Sequence, residues 1–214
     1  MDGMRVRRAG LADVATVGRV YAHAAQDEAV TAWVTEGFPD IAAAFRDEHA
    51  PKMIERAVDG GDEVWVAGPG DEVWAVSVWH RVTDTGRYRT EAGETARMAD
   101  GAPEVRPLVR LAAVTELVAR THPREFPHRY LQSIVTVPER RGRGAGAAIL
   151  AAVLSEAREP AYLEASTERS ARLYERCGFA RSGAVLPLPD GGPVLIPMWR
   201  RGRSPLPGDG QPAG

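Results

Sequence analysis

The residues with the clearest chemical content lie together in Arg140-Arg141-Gly142-Arg143-Gly144-Ala145-Gly146-Ala147, directly after the β-branched run Ile134-Val135-Thr136-Val137. A strand that turns through glycines into a helix presents consecutive backbone N–H groups at the positive end of the helix dipole, with no side chains in the way. Such a nest binds an anion, and a diphosphate suits it. Arg140, Arg141 and Arg143 add charge-assisted donors. Two familiar glycine signatures fail on position. A P-loop needs Gly-Lys-Ser/Thr, and the chain's one lysine, Lys52, is far away. A dinucleotide fingerprint needs Gly-x-Gly-x-x-Gly, and Ala147 stands where the third glycine belongs. The plain alternative is a glycine turn in an arginine-rich chain.

A second run, Leu163-Glu164-Ala165-Ser166-Thr167 followed by Ser170 and Leu173-Tyr174-Glu175-Arg176-Cys177-Gly178-Phe179, holds a phenol with a chemical use. Tyrosine, with a pKa of about 10, is a neutral donor near pH 7 and can protonate a departing thiolate. Packing of Tyr174 with Leu173 and Phe179 is the competing account.

Together the two runs resemble motifs A and B of the GNAT superfamily of N-acetyltransferases. Motif A, Arg/Gln-x-x-Gly-x-Gly/Ala, corresponds to Arg141-Gly142-Arg143-Gly144-Ala145-Gly146 after a Val-x-Val strand, and motif B to Glu-x-Ser followed by Leu-Tyr-Glu-Arg-x-Gly-Phe. The resemblance implies acetyl-CoA as acyl donor. Its pyrophosphate would sit on residues Arg141, Gly142, Arg143, Gly144, Ala145, Gly146 and Ala147, and its pantetheine against the main chain of Ile134, Val135, Thr136 and Val137. Tyr174 becomes the general acid for the CoA sulfur. Ser170 stands where the family usually has asparagine, which shortens that contact. Glu164 is the first candidate for the base that takes the amine proton, with Glu28 and His128 after it; a structural carboxylate accepting backbone N–H is an equal reading of Glu164.

Looser signals resemble the puromycin N-acetyltransferase-like branch: Val64-Trp65-Val66-Ala67 with Trp79, His122-Pro123, Pro127-His128-Arg129-Tyr130-Leu131, Glu164-Ala165-Ser166, and Glu28-Ala29-Val30-Thr31-Ala32-Trp33. By that likeness Glu28, Trp33 and His128 belong to the acceptor side. Ala29 replaces the branch's proline, and 81–104 follows no shared pattern, so the acceptor pocket is expected to be the chain's own.

The elements that must hold these residues follow from periodicity. A short strand is expected at Arg5–Arg8, then a helix over Ala12–Ala25 with Val14, Val17, Tyr21 and Ala24 on one stripe. The segment 26–40 carries acids, Trp33 and Phe38 without an assigned element. Ile41–Val58 reads as a helix interrupted by Pro51. Strands Glu63–Ala67 and Glu72–His80 flank the turn Gly68-Pro69-Gly70-Asp71. Arg81–Glu104 reads as a long connection or frayed helix, and Val105–Thr121 as a helix. Then come strand Tyr130–Val137, helix Gly146–Arg158, strand Tyr162–Ala165, helix Thr167–Arg176 and a terminal hairpin, Phe179–Leu186 with Val194–Arg200. The fold class is α/β (α+β): by resemblance, a central mixed, largely antiparallel sheet splayed at the acyl-CoA site and flanked by helices. A single domain over 1–201 with a disordered tail over 202–214 is expected.

The 214 residues are 44% hydrophobic with a formal charge of −2, enough for a real core and too neutral for a global field that would hold nucleic acid or an acidic membrane. Lys52 apart, all 27 basic residues are arginine, so single arginines carry little information. The lone Cys177 excludes a disulfide framework and reads as a packed thiol. His23, His49, His80, His122 and His128 have no metal-ligand spacing, so no metal is expected. No signal peptide or membrane span is evident, which reads as cytoplasmic.

The leading function is acetyl transfer from acetyl-CoA to a primary amine of a small molecule, an antibiotic or other metabolite, by a monomer or homodimer. Another acyl-CoA or carrier-protein thioester, a protein amine as acceptor, and a non-catalytic acyl-CoA-binding module are the alternatives.

Overall fold

The computed structural model describes residues 3–202; the proline- and glycine-rich end expected as a tail lies outside them from 203 onward. Eight strands form one sheet: β1 (Met4–Arg8), β2 (Glu63–Pro69), β3 (Ala75–Val82), β4 (His128–Thr136), β5 (Ala161–Ala165), β6 (Ala180–Arg181), β7 (Leu186–Pro187) and β8 (Val194–Arg200). The order is β1-β2-β3-β4-β5-β8-β6, with β7 also on β8. Every pairing is antiparallel except β4 with β5.

That parallel pair is short. Only Arg129 with Ala161 and Tyr130 with Tyr162 are in register, although β4 continues to Thr136 and β5 to Ala165. Beyond Tyr130 the two strands diverge, and the β5-facing edge of β4 loses its ladder partner. A β-bulge lies just there: Val78 opposes Ser133 but Trp79 opposes Leu131, so Gln132 is the extra residue. The bulge resets the side-chain alternation. Leu131 and Ile134, three apart, therefore both meet the same core.

Helices cover both faces. Helix α1 (Val14–Ala25) follows a 3₁₀ turn at Leu11–Asp13, and with α4 (Ala50–Asp59) it buries Val17, Tyr21 and Ile54 against Val64, Val66, Val76 and Val78. On the opposite face α7 (Ala145–Glu156) buries Ile149, Leu150 and Val153 against Trp79, Leu131 and Leu163. Full burial of each such aliphatic side chain contributes about 1.5–3 kcal/mol before entropic costs. Next to α7 on that face lies α8 (Glu168–Arg176), whose Ala171 and Tyr174 join the same core.

Three segments differ from the sequence reading. Helix α2 (Ala29–Thr35) fills the unassigned stretch, because Glu28 caps it through Oε2 to the Val30 and Thr31 N–H groups, both at 3.0 Å. The helix expected to break at Pro51 stays helical: α3 (Pro39–Ala44) passes through a π turn at Phe45–His49 into α4, where the proline falls in the first turn and needs no donor. The stretch read as a long connection or a frayed helix is a regular helix, α5 (Gly86–Gly101), sixteen residues packed against α6 (Arg106–Thr121). Its buried stripe is Tyr88, Ala92 and Thr95, and Thr95 is hydrogen-bonded to Thr115 of α6 at 2.6 Å. Small and polar residues at helical spacing leave almost no hydrophobic signal.

Candidate active site

Between β4 and α7 the chain makes a 3₁₀ turn at Pro138–Arg140 and then two left-handed glycines, Gly142 (φ 75°) and Gly144 (φ 85°). A side chain at either would be strained, so the turn depends on glycine. Gly144 is the N-cap of α7 without a side-chain cap, which leaves the first-turn N–H groups free of a competing oxygen. The three arginines are not equivalent. Arg141 grips Asp27 through both Nη atoms at 2.5 Å and donates from Nε to the Thr136 carbonyl at 3.1 Å, tying the loop to the end of α1. The same pair holds the Asp27 carboxyl below its ordinary range. Arg140 lies 4.9 Å from the Trp74 ring and 3.8 Å from Glu72, and Arg143 lies 5.6 Å from that ring. Among the described residues no carboxylate pairs with Arg143, which leaves its charge for an anion.

The strand residues Ile134 to Val137 border the splay. Ile134 packs toward α7 and Val135 toward α1 and α4, while the main chain between them faces the gap left by β5. Tyr174 is buried in α8 with Phe179 edge-on at 6.1 Å. Burial, then the negative charge of Glu28, pushes its phenol well above the ordinary value, so it stays protonated. The Ser170 hydroxyl donates to the Thr167 carbonyl at 2.8 Å and accepts from the Thr167 N–H at 3.2 Å, closing a capping box at the start of α8.

Glu164 sits on β5 two residues after Tyr162, on the same face of the sheet. Its Oε1 is buried without a hydrogen-bond partner. Burial pushes its carboxyl up to about 7, and the neighbouring Tyr130 and Tyr162 phenols act in the opposite direction. Both phenols are in turn raised far above their usual value, by burial first and by the Glu164 charge second. A carboxyl that titrates near neutrality beside two neutral donors can take up and release a proton during turnover.

The acetyltransferase (GNAT) family model matches residues 27–179. The chain belongs to this family. Its fold is shared by a histone acetyltransferase HPA2 and related acetyltransferase from Corynebacterium glutamicum, 25% identical over 94% of this chain and 98% of that one, with a TM-score of 0.67. A polyamine N-acetyltransferase of Drosophila melanogaster that forms N-acetylagmatine is 17% identical over 93% and 100%, with a TM-score of 0.65. A mosquito arylalkylamine N-acetyltransferase like 5b is 14% identical over 92% and 99%, with a TM-score of 0.61. The chain is therefore an acyltransferase of the GNAT type.

In this GNAT domain the residues expected on the acceptor side separate. Glu28 is spent at Oε2 on the α2 cap, yet its charge acts on both Tyr174 and Tyr21, so it borders the same space. Trp33 is core: it packs with Leu117, Leu188 and Leu195, with the Arg110 guanidinium 4.7 Å from its ring. His128 has no exposed surface and is packed by His122, Phe126 and Trp199. Both side chains are buried, Trp33 at 8% and His128 at 0% exposure.

Sequence reasoning missed Tyr130 and Tyr162, the Tyr21 hydroxyl donating to Ser133 Oγ at 3.2 Å beside the bulge, and a polar group made of Asp62, His80 and Tyr88. Strand parity was the available signal for one of them, since Tyr162 and Glu164 are two apart and must share a face.

Proposed function

We propose that this acyltransferase moves the acetyl group of acetyl-CoA to a primary amine of a small molecule. The observation that carries the reading is Glu164, a carboxyl with an unpartnered buried oxygen and a pKa near 7, standing where β4 and β5 part. The loop suits the donor, because two left-handed glycines open the first turn of α7 to a diphosphate and Arg143 has charge to spare. Ile134, Val135, Thr136 and Val137 would hold the pantetheine along the unpaired edge of β4, with Arg141, Gly142, Arg143, Gly144, Ala145, Gly146 and Ala147 at the phosphates. Ser170 would act on the donor only through the turn that its hydroxyl caps. Bound acetyl-CoA supplies a thioester carbonyl open to attack by a neutral amine.

The chain's own groups supply the proton chemistry. An ammonium entering beside Glu28 and Glu164 gives its proton to the ionised Glu164 carboxylate, which the raised pKa makes a competent base near neutrality. Tyr174, kept protonated by burial, holds a hydrogen for the departing sulfur. The two groups stand on different elements, β5 and α8, so uptake and donation need not compete for one site. An antibiotic or other amine-bearing metabolite fits this chemistry, and the puromycin-type branch rests on the sequence motifs alone.

Thiol release from acetyl-CoA, measured over a panel of agmatine, spermidine, phenethylamine, puromycin and a lysine-bearing peptide, tests the proposal. Turnover of a small amine, reduced about a hundredfold by Tyr174→Phe, is expected. Turnover of the peptide alone would move the acceptor class to protein amines. Acetyl-CoA binding with no turnover on any amine would leave a binding module.

A further inference from the structure

Two neighbouring side chains on α2 and α6 hold buried hydrogens that nothing accepts. The Trp33 indole Nε1 and the Arg110 Nε are both buried without a hydrogen-bond partner. The guanidinium lies 4.7 Å from the Trp33 ring centre, so the two donors are close together. Arg110 is 4% exposed, and its Nη1 donates to the Trp33 carbonyl and, at 3.1 Å, to Glu36 Oε2. Among the described residues Glu36 is the one carboxylate paired with it, and the Glu36 side chain is 67% exposed. Water screens that carboxylate, so the buried cation stays under-neutralised. An apolar pair would pack as well without the cost of unsatisfied donors.

Strand pairing places these donors relative to Glu164. Glu164 opposes Pro197 and Tyr162 opposes Trp199, and by alternation Leu195 shares their face of the sheet. Trp33 packs with Leu117 and Leu195, whereas Val118 packs with Tyr162 and Trp199. The adjacent α6 residues Leu117 and Val118 thus meet one cluster each, and Glu164 stands at the seam beneath them. From Val118 back to Arg110, α6 runs eight residues, about 12 Å, toward the Trp33 cluster. Along α2, the capping Glu28 and Trp33 are five residues, about 7 Å, apart. One end of this face therefore carries the carboxylates Glu28 and Glu164 and the other the guanidinium, with half-buried Val114 and Leu186 adding apolar surface to the Trp33 cluster. The β7–β8 loop seals the donors: a Cβ on Gly192 would lie 2.7 Å from Trp33 Cε2, the atom bonded to Nε1.

We propose that Arg110 and the Trp33 indole form a subsite for a carboxylate that the acceptor carries at the end away from its amine, a substrate class that rests on the acyl-transfer reading above. The amine lies at Glu28 and Glu164 and the apolar body along Leu195 and Val114. The carboxylate accepts from Arg110 Nε and Trp33 Nε1 once the Gly192 loop lifts. The acceptor is then an amino carboxylate whose charged ends stand roughly 7–12 Å apart. A polyamine is a poor substrate, because its second cation meets Arg110.

The test measures kcat/KM at saturating acetyl-CoA for three acceptors of equal length, ω-aminooctanoate, octylamine and octamethylenediamine, and again for ω-aminohexanoate, hexylamine and hexamethylenediamine. The amino carboxylate is expected to exceed the diamine by about tenfold or more at one length at least, with the alkylamine between them. Arg110→Gln should lower that ratio by about tenfold, and Trp33→Phe, which keeps the cation and removes the indole hydrogen, by about threefold. A ratio below about threefold at both lengths overturns the subsite, as does a ratio that no folded variant lowers. Where Arg110→Gln fails to fold, the ratio in Trp33→Phe decides. If none of the six is acetylated while another small amine is, the subsite fails and the acyl-transfer reading stands. If no small amine is acetylated, that reading fails and the subsite with it.

Discussion

The donor side and the acceptor side of this site are built by different means. The donor side is backbone: an unpaired strand edge over Ile134 to Val137 and a glycine turn into α7, contiguous in the chain. The acceptor side we propose is side chains from separate elements, Tyr130 on β4, Tyr162 with Glu164 on β5 and Tyr174 on α8. A ligand held by main-chain N–H groups requires a local backbone conformation, which leaves a compact signature in sequence. A proton-handling cluster requires only that polar groups share a low-dielectric space, and any elements that meet there can supply them.

Removing the carboxyl at the centre of the acceptor side should sharpen this contrast most. Glu164→Gln is expected to lower kcat by about 10²–10⁴ with KM for acetyl-CoA preserved, and kcat of the unsubstituted chain should fall as pH drops through about 7, where the base becomes protonated. The same variant should be the more stable protein. The folded-state pKa is raised above the unfolded value, so the unsubstituted chain loses stability as pH rises from about 4.5 to about 7, an effect on the order of a few kcal/mol that glutamine removes. Melting curves at pH 8 and pH 4.5 check it: equal midpoints at both would put the buried charge elsewhere.

On the donor side the matching change is Gly144→Ala. A residue at φ 85° should cost about 1 kcal/mol in stability and raise KM for acetyl-CoA about tenfold, with the pH profile of kcat untouched. A shift of that profile would break the separation between the two sides.

The smallest effect expected is acid sensitivity confined to the acceptor side. Burial lowers His80 to about 4 and His122 to about 3, so unfolding below pH 6.5 takes up protons. Stability present above pH 6.5 is lost as pH falls toward these values; in Glu164→Gln, which lacks the opposing gain from the buried carboxyl, the melting temperature should drop by roughly 5–10 °C between pH 7 and pH 5. His122→Phe should remove part of that drop and leave Gly144→Ala's effect on KM unaltered.

The legible parts of the molecule have a common cause. Strands rich in valine, the glycine turn and the start of α8 near Thr167 are specified by neighbours in the chain, and each was readable at or near its observed bounds. Helix α5 was not, because its buried stripe is Tyr88, Ala92 and Thr95 and its packing is completed by Thr115 on α6. Trp33 and His128 show what spacing does not record, their packing partners: Leu117 and Leu195 in one case and Trp199 in the other.

By itself the sequence determined the family and pointed to the glycine loop, Glu164 and Tyr174 as its candidate site, because backbone nests and strand–turn–helix motifs are local. Tertiary structure decided what those residues can do. It left Glu164 with a buried unpartnered oxygen and a carboxyl near neutrality, kept Tyr174 protonated, made the Ser170 hydroxyl a helix cap and paired Arg141 with Asp27. Desolvation and charge proximity act through space, and no spacing along the chain records them.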